Sequence, residues 1–208
     1  MAKDKAKKQH WEEIYSSKDT TCEVSWYQDN PRISIDQILS TGIDRNARII
    51  DIGGGDSRVV DQLLALGFED LSVLDISLKS LQKAQKRLGD KAKQVTWIES
   101  DILQFNPKLH YDLWHDRATF HFFTDQRDIT RYTKIAGRFI KPNGYLIIST
   151  FSLNGPKKCS GLDVTQYSED SIKQVFEKDF IHVKSFKKEH ITPFKTNQSF
   201  LFTIFRRK

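Results

Sequence analysis

The sequence predicts an α/β fold of three layers, built on a seven-stranded mixed sheet that closes on a C-terminal antiparallel hairpin. Three observations carry this. Short β-branched runs alternate with runs of helical spacing through most of the chain, which implies parallel strands joined by right-handed crossovers with helices on both faces. A glycine run separates the first such strand from the helix after it. Two strand-like segments with no helix between them end the chain.

The elements follow in order. Helices are expected around Gln9 to Tyr15 and Ile33 to Leu39. Arg48-Ile49-Ile50-Asp51-Ile52 reads as a buried strand ending at glycines. From Ser57 to Leu66, Val59, Val60, Leu63 and Leu64 recur at helical spacing until Gly67 stops them. Leu71 to Asp75 is the second strand. Ser77 can cap a helix carrying Leu78, Leu81, Ala84 and Leu88, ended by Gly89. Val95 to Ile98 and Tyr111 to Trp114 are the third and fourth strands. A helix from about Asp125 to Phe139 is stopped by the Pro142-Asn143-Gly144 turn, ahead of a fifth strand from Tyr145 to Phe151. Ser168 opens a short helix, and Phe180 to His190 and Ser199 to Phe205 suit an antiparallel pair. No internal repeat or low-complexity linker interrupts this order. Residues 1–208 therefore read as one domain, with 1–44 a helical cap and 45–208 the core.

Composition narrows the function. An apolar fraction of 38% in 208 residues supports a packed core. No apolar run reaches the roughly 18 residues of a membrane span, and MAKDKAKKQH lacks the apolar segment of a secretory signal. Cys22 and Cys159 lie far apart without CxxC spacing, which argues against a metal site or disulfide framework and fits a reducing cytoplasm. The net charge of +6 resides in the first eight residues and in Arg206, Arg207 and Lys208, leaving a neutral body. Basic residues at the ends read as solvated tails, whereas nucleic-acid binding needs them gathered on a folded face. Nucleic acid is not indicated as a partner.

The sharpest motif is Asp51-Ile52-Gly53-Gly54-Gly55-Asp56-Ser57, a strand running into a glycine loop and a helix. Glycines there let a ligand approach the backbone beyond the carboxyl ends of the strands. Asp75 ends the next strand, placed to accept hydrogen bonds from the two ribose hydroxyls of a nucleoside. A dinucleotide site would carry its third glycine at Arg58, where arginine obstructs close helix–strand packing. The pattern DxGxG of Asp51, Gly53 and Gly55 instead resembles motif I of the class I S-adenosylmethionine methyltransferases, with Ser57 where a further glycine is usual.

That resemblance implies a Rossmann-like fold and S-adenosyl-L-methionine as cofactor. It also implies roles for matching residues: Asp75-Ile76 at the ribose, Asp101-Ile102 at the adenine, and Pro142-Asn143-Gly144 as the turn before the fifth strand. The lesser reading of Asp101 alone is that it caps a turn.

The resemblance also directs attention to the end of the fourth strand, which commonly faces the transferred methyl in this class. Here Trp114-His115-Asp116-Arg117-Ala118-Thr119-Phe120-His121 sets ionisable groups among aromatics. His115 is a candidate to cover the cofactor through its backbone, Asp116 or His121 to act as general base, and Arg117 to hold an anionic group or a thiolate. The bland reading is an Asp116–Arg117 pair fixing the loop, with His121 partly buried. Trp114 to Ala118 is similar to the W-D-R-[GA] stretch of thiopurine and related thiol methyltransferases, with His115 as an extra residue. His10-Trp11-Glu12-Glu13-Ile14-Tyr15, followed by Ser25-Trp26-Tyr27, is similar to the entry segment of several methyltransferases, some of which modify protein lysines. In those, residues such as Trp11 and Tyr15 lie over the cofactor or wall the acceptor; packing of an amphipathic helix is the plainer reading. The acid-K-G-T sequence frequent in the lysine-modifying group is missing. A small-molecule acceptor with a soft nucleophile is the leading expectation, with a protein lysine or a non-catalytic cofactor-binding role as alternatives.

Overall fold

The computed structural model describes residues 2–17 and 23–208, so Cys22 lies outside the described residues. The chain runs α1 (Ala2–Ser17), α2 (Arg32–Ser40), β1 (Arg48–Ile52), α3 (Val59–Ala65), β2 (Asp70–Asp75), α4 (Leu78–Leu88), β3 (Val95–Glu99) and β4 (Tyr111–Arg117). It continues with α5 (Gln126–Phe139), β5 (Ile140–Phe151), the short strands β6 (Lys158–Cys159) and β7 (Leu162–Asp163), α6 (Glu169–Phe176), β8 (Phe180–Ile191) and β9 (Asn197–Arg207).

The main sheet has the order β3-β2-β1-β4-β5-β9-β8. The five strands from β3 to β5 run parallel, and β9 is antiparallel to both neighbours. This is the expected seven-stranded mixed sheet of a Rossmann-like fold. Strand order reverses between β1 and β4, where sheets of this kind open a crevice for ligands.

The central strands read as near-continuous apolar runs because both their faces are covered. On one face Ile49, Val73 and Leu113 pack with Ile38, Val59 and Leu63 of α2 and α3. On the other, Ile50, Trp114 and Leu146 pack with Tyr132 of α5 and Phe176 of α6. Each such buried side chain stabilises the fold by roughly 1.5–3 kcal/mol. Ser77 caps α4 as expected, its side chain accepting from the Ser80 N–H at 3.2 Å. Glu12 reaches the same helix start, accepting from the Leu78 N–H at 2.7 Å, and so ties α1 to the open edge of the crevice.

Three expectations are corrected. The fourth strand does not end at Trp114. Pairing with β1 and β5 continues through His115, Asp116 and Arg117, so these are strand residues and not a loop. The Pro142-Asn143-Gly144 turn does not precede the fifth strand; β5 starts at Ile140 and bulges there, since Tyr111 pairs with Ile140 but Leu113 with Tyr145. The Lys141 ammonium holds Asp112 at 2.8 Å across that bulge. The charged ends are not wholly solvated tails. Arg207 donates to the carbonyls of Gly137 and Asp179, each at 2.8 Å, Lys208 reaches the Glu177 carbonyl, and Lys8 pairs with Glu99.

Candidate active site

Beyond the carboxyl ends of β1, β2 and β4 lies a cavity of about 530 Å³, with a smaller recess of about 60 Å³ beside Asp51 and His115. Tyr15, Trp26, Gly53 and Arg117 border both spaces.

The glycine loop forms the floor. The N–H groups of Gly53 and Gly54 both donate to the Leu74 carbonyl, at 2.7 and 3.2 Å, folding the loop across β2. Gly53 takes φ +62°, and a Cβ there would collide with Thr119, whose hydroxyl is bonded to the Ile52 carbonyl at 3.1 Å. A Cβ on Gly55 would come within 2.8 Å of Asp75 Oδ2. The loop is thus kept free of side chains where the cavity begins.

Asp75 is buried at the end of β2 and accepts from the Ser77 N–H at 2.8 Å. Burial pushes its carboxyl up to about 7, against the lowering effect of the Ser77 and Ser80 hydrogen bonds. Ile76, Asp101 and Ile102 line the same wall. Asp101 does cap a turn, its Oδ1 accepting from the Leu103 N–H at 2.8 Å, yet its Oδ2 is buried with no partner among the described residues.

Behind the loop, Asp51 Oδ1 lies 2.6 Å from His115 Nδ1, and His115 Nε2 lies 2.9 Å from Ser34 Oγ. The order is that of a Ser–His–Asp triad, but Ser34 is only 1% exposed and no substrate carbonyl can reach it. The network holds β1, β4 and α2 together, and leaves Asp51 Oδ2 buried and unpartnered beneath Gly54. His115 therefore borders the small recess from within β4 and not from a loop.

Asp116 and His121 are not on the wall of the cavity. Asp116 Oδ1 accepts from the N–H groups of Thr119 and Phe120 at 3.0 and 3.1 Å, and Oδ2 accepts from the Tyr132 hydroxyl at 2.6 Å. Burial pushes its carboxyl up to about 6. His121 is fully buried, accepts from the Phe151 N–H through Nδ1 at 3.3 Å, and is held neutral, its pKa lowered to about 3 by burial and by Arg117. Both side chains are committed to protein partners, and this placement gives the expected base roles no support. The expected Asp116–Arg117 pair does not form either: each side chain has other partners.

Arg117 does reach the cavity. One Nη donates to the Trp26 carbonyl at 3.0 Å and the guanidinium lies 4.8 Å from the centroid of the Phe200 ring. Around it stand aromatics that meet edge to face: Trp11 with Trp26 at 5.8 Å and Trp11 with Phe122 at 5.2 Å between centroids. Tyr15 is buried against Trp26. Ala118, next on this wall, takes φ +68°, a strained backbone for a residue with a side chain.

Sequence reasoning gave no role to Thr119, Ser34 or His10. His10 lines the cavity with a buried Nε2 that has no partner among the described residues, and it is signalled only by its place beside Trp11. Cys159 also lines the cavity, its thiol pushed up by burial, while His190, Thr192 and Pro193 border a separate open depression with Tyr27.

Residues 43–198 match the family model described as a methyltransferase domain. The chain belongs to this family. The class I S-adenosylmethionine-dependent reading of the motifs stands with it.

The methyltransferase is 24% identical over 160 residues to the eEF1A lysine and N-terminal methyltransferase of Mus musculus, covering 73% of this chain and 22% of that protein. It is 25% identical over 146 residues to the malonyl-[acyl-carrier protein] O-methyltransferase 2 of Ilyobacter polytropus, covering 67% of this chain and 51% of that one. The chain thus spans about a fifth and about half of the length of these two curated relatives. Among solved structures, the N-methyltransferase NodS from Bradyrhizobium japonicum, in complex with S-adenosyl-l-homocysteine, superposes with a TM-score of 0.70 at 16% identity, covering 94% of this chain and 97% of that one. A structure from work on the conversion of a disulfide bond into a thioacetal group during echinomycin biosynthesis reaches 0.79 at 14% identity, covering 97% and 91%. Both share the fold. Among the described residues no helix is long and apolar enough to cross a membrane.

Proposed function

We propose that this methyltransferase transfers the methyl group of S-adenosylmethionine to a small molecule held between the Trp11–Trp26–Phe122 wall and Arg117. The observation that carries this reading is the cover over the cavity: α1 on one side and the β6–β7 hairpin on the other both contribute to its lining, through Trp11 and Tyr15, and through Cys159 and Leu162.

The residues fit the cofactor. A loop that any Cβ would obstruct, a buried acid at the end of β2, and two orphaned carboxylate oxygens ask for a ligand with hydroxyl and amino donors. In this reading Asp75 takes the ribose hydroxyls and Asp101 and Ile102 the adenine. Gly53, Gly55 and Asp51 take the methionine end, and Trp11 and Tyr15 lie over the whole. When bound, the cofactor supplies an electrophilic methyl on a sulfonium, and the chain's part is alignment and exclusion of water.

Asp116 and His121 serve as positioning residues, anchoring the segment that carries Thr119 and Phe122. His10 is the imidazole on the cavity wall that can take a proton from the acceptor. A thiol costs only about 2 kcal/mol to ionise at neutral pH, against roughly 4.6 kcal/mol for an amine, so a soft nucleophile asks least of this site. A protein lysine, as in the eEF1A methyltransferase, is the second reading.

The test uses S-adenosylmethionine labelled in its methyl group, incubated with the protein and a host-cell extract separated into protein and small-molecule fractions. Enzyme-dependent label in small molecules supports the proposal. Label in a discrete protein band overturns it.

A further inference from the structure

Arg117 carries a guanidinium that the protein leaves incompletely satisfied. Among the described residues its Nε and second Nη are buried with no hydrogen-bond partner and it makes no ion pair; the one bond there is from the first Nη to the Trp26 carbonyl. Burial lowers its pKa to about 10, so it is still a cation at neutral pH. A buried, unpaired charge costs several kcal/mol, and such a group is retained where a ligand completes it.

Its position says which ligand. The adenosine end of the site, at Asp75 and Asp101, belongs to β2 and the segment after β3, on one flank of the sheet. Arg117 leans to the other flank, over Phe200 of β9 and beside the cluster of Phe151, Phe202 and Cys159. The small recess by Asp51, where the methionine end is proposed to lie, has a cation of its own in Arg58, which pairs with the exposed Asp29 at 3.4 Å through one Nη while its Nε is buried with no partner among the described residues. A carboxylate of the cofactor thus has Arg58 at hand, and Arg117, which borders both the recess and the main cavity, can face what enters beside it.

We infer that the acceptor is an anion, and that a carboxylate on it forms a two-point pair with the free Nε and Nη of Arg117. The planar fork of guanidinium nitrogens matches a carboxylate, and the apolar floor of Phe200 strengthens the pair by excluding water. This rests on the small-molecule reading above and names the class of molecule within it.

The experiment begins with a protein-free host extract, passed over an anion exchanger at pH 7 before any labelling. Flow-through and salt eluate are then each incubated with the enzyme and methyl-labelled S-adenosylmethionine. Acceptor activity is expected in the retained, anionic fraction. Arg117→Gln should lower turnover of that fraction by about a hundredfold, with Arg117→Lys intermediate, while affinity for S-adenosylhomocysteine stays within about threefold and the melting temperature confirms folding. Activity confined to the flow-through overturns the inference and leaves the small-molecule reading intact. A loss of S-adenosylhomocysteine affinity in Arg117→Gln as large as the loss of turnover also overturns it, assigning Arg117 to the cofactor. No acceptor activity in either fraction, with label entering protein when the whole extract is used instead, sinks both readings together.

Discussion

Asp51 Oδ1 and His115 Nδ1 lie 2.6 Å apart on paired positions of β1 and β4, and the far nitrogen of the ring is bonded to Ser34 on α2. One carboxylate oxygen is thereby fixed and the other is aimed past Gly54 toward the small recess. His115→Ala would leave Asp51 and Ser34 buried without this partner. The expected loss is about 2–4 kcal/mol of stability, measured by urea unfolding, together with weaker S-adenosylhomocysteine binding by titration calorimetry.

The folded-state pKa of Asp75, about 7, lies well above the roughly 3.9 of an unfolded aspartate, so folding favours the protonated form. Its contribution to the stability of the free protein falls as pH rises from about 4 to about 7, then levels off. Hydrogen bonds from ribose hydroxyls favour the ionised form instead. Affinity for S-adenosylhomocysteine should therefore rise with pH between 6 and 7, approaching about tenfold per unit well below the pKa, and flatten above it. Calorimetry across this range should show the rise in the natural protein and none in Asp75→Asn, which should bind more weakly throughout.

Asp116 separates a structural role from a catalytic one. Asparagine can still accept from the Thr119 and Phe120 N–H groups, whereas alanine strands both and the Tyr132 hydroxyl. Asp116→Ala should cost about 3 kcal/mol of stability. Asp116→Asn should stay folded and keep its turnover within about tenfold, with the shape of the pH–rate profile unchanged; a loss of the acidic limb would restore Asp116 as the base.

Gly53→Ala combines positive φ with a collision against Thr119 at the cavity floor. The Cβ strain alone costs about 1 kcal/mol or more. Cofactor affinity should fall by more than it does in Gly42→Ala, where φ is also positive but the added Cβ meets nothing. Equal affinities in the two variants, measured by calorimetry, would remove the loop from the cofactor site.

The sheet was legible because its central strands are apolar runs with two buried faces, and the glycine loop because its spacing reports backbone geometry directly. The end of β4 was less so. His115, Asp116 and Arg117 look like loop residues until Asp51, Ser34 and Tyr132 supply their buried partners, and those lie far away in sequence. Charge alone likewise misplaced Arg207, since only the fold shows the Gly137 and Asp179 carbonyls waiting for it. The incomplete bonding of Arg117 and His10 has no sequence signal, because a missing partner is visible only once every neighbour is in place.

The most direct measurement is a crystal structure with S-adenosylhomocysteine bound. The ribose is expected on Asp75, the adenine between Ile76 and Ile102, and the methionine end over Gly53 toward Asp51, with Arg117 left facing the space beside the sulfur. A cofactor lying elsewhere, or with its carboxylate on Arg117 and its ribose away from Asp75, would contradict this placement.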